Sequence, residues 1–560
     1  MFLFDVFRSF LPLHNAIGFG PADFIELALA VLLVSMALVW RPWIEPYALK
    51  LAERTGWSML LLALLPVVLR LALLAHHPAP SPDVYDEFGH LLEADTLRHF
   101  RLANPPHPLP QFFETFFVLQ EPAYSSIYPV GQGLALAVGW AIFGLPWAGV
   151  VLSVAAFCAL CYWMLRAWTT PGWALTGGLL AAIEFGPLNQ WMNSYWGGAF
   201  AAAAGCLVFG ALPRLRNGPR TRDAVLLGVG LGMHLLTRPY ESIFLFLGVI
   251  LFFVPVLRQR EELRKLVRVA PDVALVLIAP MAIMLFQNKA VTGSWTTLPE
   301  MLSQYQYGVP AALTVQSNPV PHRDLTREQA LDYKMQLSFH IGPETVRSYL
   351  ERLEYRVRYY RFFFLAPLYV ALVVFLVTIR EFRFVWVALT LLLFSLGVNF
   401  FPAFQLHYIA AVTCLFVLVS VTGLERMGRV VGRLIVFLCV AHFLFWYGLH
   451  VFDDAEASMA MRPYETWDAI NHGNPERRIY VDRQLAAIPG KLLVFVRYYP
   501  QHVFQDEWVY NAADIDGARV VWARDLGEAE DEKLRNYYPD RAVWLLEPDA
   551  RPPRLKAYER

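Results

Sequence analysis

The chain has 560 residues, of which 57% are hydrophobic and only 17% charged. A soluble domain of this size needs roughly 25% charge to cover its surface, so the composition excludes both a disordered chain and an ordinary soluble globule. Lys+Arg and Asp+Glu are both 47, so the net charge gives no reason to expect a nucleic-acid partner. The 40 Phe, 25 Tyr and 17 Trp fit a protein with many helix ends at a bilayer interface.

Residues 1–22 carry no basic segment followed by a cleavage site, so we expect no cleavable signal peptide and read the first apolar run, 24–40, as a retained span. Thirteen apolar runs are candidates for crossing a bilayer: 24–40, 56–75, 130–144, 146–166, 174–190, 196–212, 223–237, 240–257, 272–288, 362–379, 384–401, 405–422 and 432–450. Cys158, Cys161, Cys206, Cys414 and Cys439 all fall in apolar runs, and we read them as small apolar filler. The predicted fold is a polytopic all-α membrane protein of about 12–13 spans over 1–450, with polar outer loops at 76–128 and 290–360. A small soluble α/β domain follows at 451–560, with strands near 491–498, 518–523 and 541–547 and a helix near 527–537.

Four short loops are strongly basic. They carry Arg214, Arg216, Arg220 and Arg222; Arg258, Arg260, Arg264, Lys265 and Arg268; Arg380 and Arg383; and Arg426, Arg429 and Arg433. Alternating spans put all four on one side, which the positive-inside rule makes cytoplasmic, so both polar loops and the C-terminal domain face outward. Three candidate spans then separate two outward segments, 76–128 and the region of Asn193. One run between 130 and 190 is therefore incomplete, or the runs over 130–166 are divided wrongly.

The densest chemistry lies in the first outer loop, Asp83-Val-Tyr-Asp86-Glu87-Phe-Gly-His90, followed by Glu93 and Asp95. As a helix over 86–98, this segment puts Asp86 and His90 on one face. A solvated loop cap is the ordinary reading of such acids.

An Asp-Glu pair in a long first outer loop resembles the GT-C membrane glycosyltransferases, nearest to the protein O-mannosyltransferase and aminoarabinose-transferase branch. Three later segments extend the likeness over roughly 56–450. Tyr124-Ser-Ser-Ile-Tyr128-Pro129-Val130 resembles that branch's proline-containing helix entry, with one proline where many members have two. Gly228-Val-Gly230-Leu-Gly232 leading to Thr237-Arg238-Pro239 is similar to a glycine-rich helix ending in Leu-Thr-Lys-Gly, with Arg238 in place of the lysine. His407-Tyr408 resembles an Arg-Tyr-x-x-Pro segment, with His407 for Arg and no proline.

The resemblance implies an inverting transferase moving a monosaccharide from a polyprenyl-phosphate donor to an extracytoplasmic acceptor hydroxyl. It implies a bacterial-type inner membrane, with the active site on the outer side and no cofactor or metal. Such chemistry needs a base for the acceptor proton, a group for the departing phosphate and an apolar groove for the lipid tail. Asp86 is the expected base, and Glu87 the residue that orients an acceptor or tunes it. Arg238 offers phosphate a bidentate fork, although interfacial snorkelling is its other reading. His407, Tyr408 and Tyr128 are expected at the donor. So are Asn193, Tyr195 and Trp196, which an interfacial aromatic belt explains equally well. Arg497, His502 and Asp506-Glu507-Trp508 read as a surface patch able to hold an acceptor. A transporter or lipid flippase, or a non-catalytic envelope-assembly protein, is the alternative. No internal repeat favours transport.

Overall fold

A computed structural model describes residues 21–82, 84–339, 342–452 and 475–558. The N-terminal 20 residues, Asp83 and the junction at 453–474 lie outside the described residues, and with them most of the segment read for a leader.

In chain order the membrane-side helices begin with α1 (Pro21–Glu53) and α2 (Thr55–Ala72). The outer loop contributes α3 (Tyr85–Arg98) and a two-stranded ribbon, β1 (Val118–Leu119) with β2 (Ser125–Ser126). Then come α4 (Val130–Phe143), α5 (Trp147–Leu165), α6 (Pro171–Glu184), the single turn α7 (Gln190–Asn193), α8 (Ala199–Asn217), α9 (Thr221–Leu235), α10 (Pro239–Phe253) and α11 (Arg260–Thr292). The second polar loop holds α12 (Pro299–Tyr307), α13 (Arg327–Ser338) and α14 (Val346–Val357). The bundle closes with α15 (Tyr369–Thr378), α16 (Phe382–Val398), a 3₁₀ segment over Leu406–Val412, α17 (Thr413–Arg426) and α18 (Arg429–Phe452).

Among the described residues, seven helices are long and apolar enough to cross a membrane, or nine if two sharply bent pairs each count as one span. The chain is a multi-pass membrane protein. Of the other apolar runs, α6, α9 and α16 form helices of 14, 15 and 17 residues, shorter than those counted here.

The conflict of parity resolves at α4. This helix runs alongside α3 in the same direction: Gly133 packs on Glu93, and Arg98 lies 4.4 Å over the Trp140 ring. Its first turn is tied to the end of α9, where the Gly131 N–H meets the Leu236 carbonyl at 2.8 Å. Just beyond its other end, Trp147 Nε1 donates to the Met192 carbonyl at 2.8 Å, on the same face of the bundle. The run 130–144 therefore does not cross. Hydropathy could not distinguish it from a span, because its exposed Leu134, Val138, Ile142 and Phe143 make it as apolar as one.

The basic loops gather at the opposite end. Arg214 bonds the Trp163 carbonyl at 2.8 Å, Arg383 the Trp168 carbonyl at 3.3 Å, Arg426 the Thr378 hydroxyl at 2.7 Å and Arg433 the Glu45 carboxylate at 2.7 Å. All five cysteines are free and buried.

The C-terminal unit has α19 (Pro475–Ala487), β3 (Leu492–Val496), β4 (Val520–Arg524), α20 (Glu528–Tyr537), β5 (Ala542–Glu547) and β6 (Arg554–Ala557). Its sheet has the order β4-β3-β5-β6, parallel except for the antiparallel edge strand β6. β3 is buried along its whole length, which is why Leu492 to Val496 reads as an unbroken apolar run rather than an alternating one. The unit packs on the outer loop in a shared apolar cluster. Phe88 stacks on Tyr510 at 4.2 Å, and the Ala513 N–H donates to Asp95 Oδ2 at 2.8 Å.

Candidate functional site

Asp86 and Glu87 occupy the first turn of α3, where the helix N-terminus favours negative charge. Glu87 is buried, and its two oxygens accept backbone N–H groups, from Val84 at 3.2 Å and Tyr195 at 2.7 Å. The first bond closes the start of the helix, and the second pins the 194–198 turn against it. Asp86, one residue earlier, points elsewhere. It accepts the hydroxyl of Tyr128 and the indole of Trp196, and it interacts electrostatically with Arg238. Burial raises its proton affinity above the ordinary carboxylate range, and these three partners oppose that rise.

Close packing positions the two partners. A Cβ on Gly89 would fall 2.8 Å from the Tyr128 ring, so only glycine lets that ring lie flat along α3. The Tyr128 carbonyl is held by Gln287 at 2.9 Å. Trp196 is set by the turn that follows it, in which Gly198 has φ of 115° and leads into α8.

Arg238 sits between α9 and α10, with Pro239 opening the second helix. Its N–H reaches the His234 carbonyl at 2.7 Å. The guanidinium lies 4.4 Å over the Tyr408 ring and 3.6 Å from Glu241. His407 packs between Trp196 and Tyr408, with ring centroids 5.4 and 5.0 Å away. The structure thus brings Asp86, Tyr128, Trp196, Arg238, His407 and Tyr408 together.

Asn193 and Tyr195 make hydrogen bonds within the fold. Asn193 accepts Arg70 Nε at 2.7 Å and donates to the Pro187 and Asn189 carbonyls, both at 2.9 Å. The Tyr195 hydroxyl donates to the Pro80 carbonyl at 2.9 Å. The expected surface patch in the C-terminal unit is partly corrected: Arg497 is exposed, but His502 is buried against Asp549 at 2.7 Å, Glu507 is buried against Tyr498 and Arg524, and Trp508 is buried.

Four further acids and polar groups lie near the site: Glu93 and His90, noted in the outer loop but given no role in the transfer, and Glu300 and Asp332, not noted from the sequence. Glu93 is 0% exposed, and burial pushes its carboxyl up to about 8. His90 stacks near Tyr128 at 4.2 Å, and burial pushes it down to about 3, so it is neutral. Asp86, His90 and Glu93 follow i, i+4, i+7 spacing, and that periodicity was the available signal. Glu300 on α12 interacts with Arg238, and Asp332 on α13 with Asp86. Neither had a signal, since both lie in polar helices full of ordinary charge. Among the described residues, no group of three or more His, Cys, Asp or Glu side chains is arranged to hold a metal ion.

No family model matches this sequence, and no curated protein matches it by sequence. The fold is similar to that of ArnT from Cupriavidus metallidurans in the apo state, with TM-score 0.52, 12% identity, and coverage of 88% of this chain and 93% of that one. ArnT of the same organism bound to undecaprenyl phosphate gives TM-score 0.51 and 13% identity over the same shares of the two chains. At this identity the likeness is one of fold. The chain has the GT-C-type fold expected from its sequence, with a small C-terminal α/β unit.

Proposed function

We propose that the protein transfers a monosaccharide from a polyprenyl-phosphate donor to an acceptor hydroxyl on the extracytoplasmic side of the membrane, with inversion at the anomeric carbon. One observation carries this reading: Asp86, from an outer-loop helix, meets Arg238, from the end of two membrane helices, in one cluster with Tyr128, Trp196, His407 and Tyr408. A base and an anion-binding group are thereby joined at the membrane boundary, where a lipid-linked phosphate would lie. The fold that the chain shares with ArnT, a protein crystallised with undecaprenyl phosphate, agrees with this donor class.

In this mechanism Asp86 takes the proton of the acceptor hydroxyl as its oxygen attacks the anomeric carbon. The bond from that carbon to the phosphate oxygen breaks, and polyprenyl phosphate leaves. One base and one displacement require inversion, with no covalent sugar-enzyme intermediate. Burial works in favour of Asp86, since a carboxylate with raised proton affinity is a stronger base. Tyr128 and Trp196 fix its orientation. Arg238 binds the phosphate at the N-terminus of α10, where the helix field also favours an anion. Glu87 acts by holding the start of α3. The four basic loops face the cytoplasm, which puts the site and the C-terminal unit outside.

The test is turnover by purified protein in nanodiscs. The expected result is release of free polyprenyl phosphate from a polyprenyl-phosphate monosaccharide. Equal turnover of a nucleotide sugar without a lipid carrier would exclude the proposal.

A further inference from the structure

Asp332 lies on α13, in the polar loop between α11 and α14, and is 0% exposed. Gln336 donates to its Oδ2 at 2.8 Å. Its Oδ1 is buried as well, and among the described residues no donor reaches it. The neighbouring Tyr333 packs in one apolar cluster with Tyr85 and Tyr128, the two tyrosines that flank Asp86. Asp332 also interacts electrostatically with both Asp86 and Tyr85.

The position is firmly held. On α13, Glu328 pairs with the buried Arg524 of β4, and Arg327 donates to the Tyr499 and Pro500 carbonyls of the C-terminal unit. From the other side, Gln329 Nε2 bonds Glu114 at 3.3 Å and the Thr115 carbonyl at 3.2 Å. Two independent surfaces thus fix a helix whose buried acid has one oxygen unsatisfied. Buried polar atoms are almost always paired, so an orphan within electrostatic reach of a proposed base points to a donor that arrives with a ligand.

The side of approach identifies the ligand. Arg238 belongs to the membrane helices and meets the lipid-linked half of the reaction. Asp332 belongs to the outer loop and meets whatever enters from there. We infer that Asp332 binds the acceptor, its free oxygen taking a hydrogen bond from a neutral, hydroxyl-bearing group held against Asp86. Asp86 works as the base in its ionised form, and Asp332, whose carboxyl burial raises to about 7, is partly ionised at neutral pH; this negative charge disfavours a phosphate or carboxylate, so the reacting end of the acceptor is not anionic. This inference rests on the transferase reading above.

The experiment compares wild type, Asp332→Asn and Asp332→Ala in nanodiscs with a radiolabelled undecaprenyl-phosphate sugar. The acceptor probe is an envelope extract separated by charge into neutral and anionic fractions. Undecaprenyl phosphate binding reports folding, and slow hydrolysis of the donor by water reports chemistry without acceptor. Asp332→Asn is expected to raise the amount of neutral fraction needed for half-maximal transfer by about 10–100-fold, the worth of one hydrogen bond to a charged group. Donor binding is expected to stay at the wild-type level, and hydrolysis to change far less than the acceptor dependence, since Asp332 touches it only through its charge on Asp86. Unchanged acceptor dependence would overturn the inference, as would parallel loss of hydrolysis and binding, or label recovered mainly in the anionic fraction. Wild-type protein that neither binds nor cleaves the donor would remove the transferase reading itself, a distinguishable failure.

Discussion

Replacing Tyr128 by Phe removes one hydroxyl from the Asp86 carboxylate and leaves the ring in place against Gly89. The hydroxyl stabilises the ionised form of Asp86, together with Trp196 and Arg238 and against the burial that favours the protonated form. A hydrogen bond to a charged group is worth about 1.5–3 kcal/mol. Its loss therefore raises the Asp86 pKa further above the ordinary carboxylate range. The base works when deprotonated, so the acidic limb of the pH profile moves to higher pH. The variant is slower than wild type at low pH and approaches it at high pH. The assay is kcat/KM for release of polyprenyl phosphate across the pH range, which reports groups of the free enzyme. An acidic limb that stays in place, or moves to lower pH, would refute the assignment of Asp86 as the titrating base with Tyr128 as its partner.

Arg238→Ala is expected to weaken undecaprenyl phosphate binding by about 10–100-fold, measured by titration in nanodiscs, because a charge-assisted fork to phosphate is lost; unchanged affinity would remove Arg238 from the donor site. Glu93 ionises near 4.5 when solvated and near 8 in the fold, so its contribution to stability falls as pH rises from about 4.5 and levels off above about 8. Glu93→Gln should therefore raise the Tm most at alkaline pH and flatten the pH dependence between those limits, and an unaltered slope would contradict the burial argument. Arg524→Met strands the buried Glu328 and Glu507 carboxylates, an expected cost of about 3–5 kcal/mol. Limited proteolysis within α13 should accelerate, and wild-type resistance would mean that the C-terminal unit does not hold this helix.

The sequence was most informative where chemistry and periodicity coincided. β3, β4, β5 and α20 were legible from short apolar runs between turn residues, and α3 from the spacing of Asp86 and His90. Asp86, Arg238, His407 and Tyr408 were recognisable through the resemblance of their segments to the GT-C membrane glycosyltransferases. Glu87 was as visible as Asp86. Only the fold reveals that its oxygens are taken by the Val84 and Tyr195 N–H groups. The bond that Arg70 makes to Asn193, 123 positions later, was not legible, because no local pattern links the two. The surface course of α4 was hidden by its composition, since lipid-facing side chains look alike on a crossing helix and on one lying along the bundle. Asp332 was hidden for the opposite reason. Its helix is polar throughout, and the burial of one acid depends on contacts with β4 and the outer loop that no local pattern encodes.

The measurement that bears most directly on the central claim is turnover and donor affinity of Asp86→Asn in nanodiscs. The substitution keeps the size of the side chain and one acceptor oxygen for Tyr128, but it abolishes proton acceptance. Turnover is predicted to fall by roughly 10²–10⁴-fold, the usual contribution of a positioned general base, while undecaprenyl phosphate affinity, resting on Arg238, is retained. Near-normal turnover in a variant that still binds the donor would contradict the account.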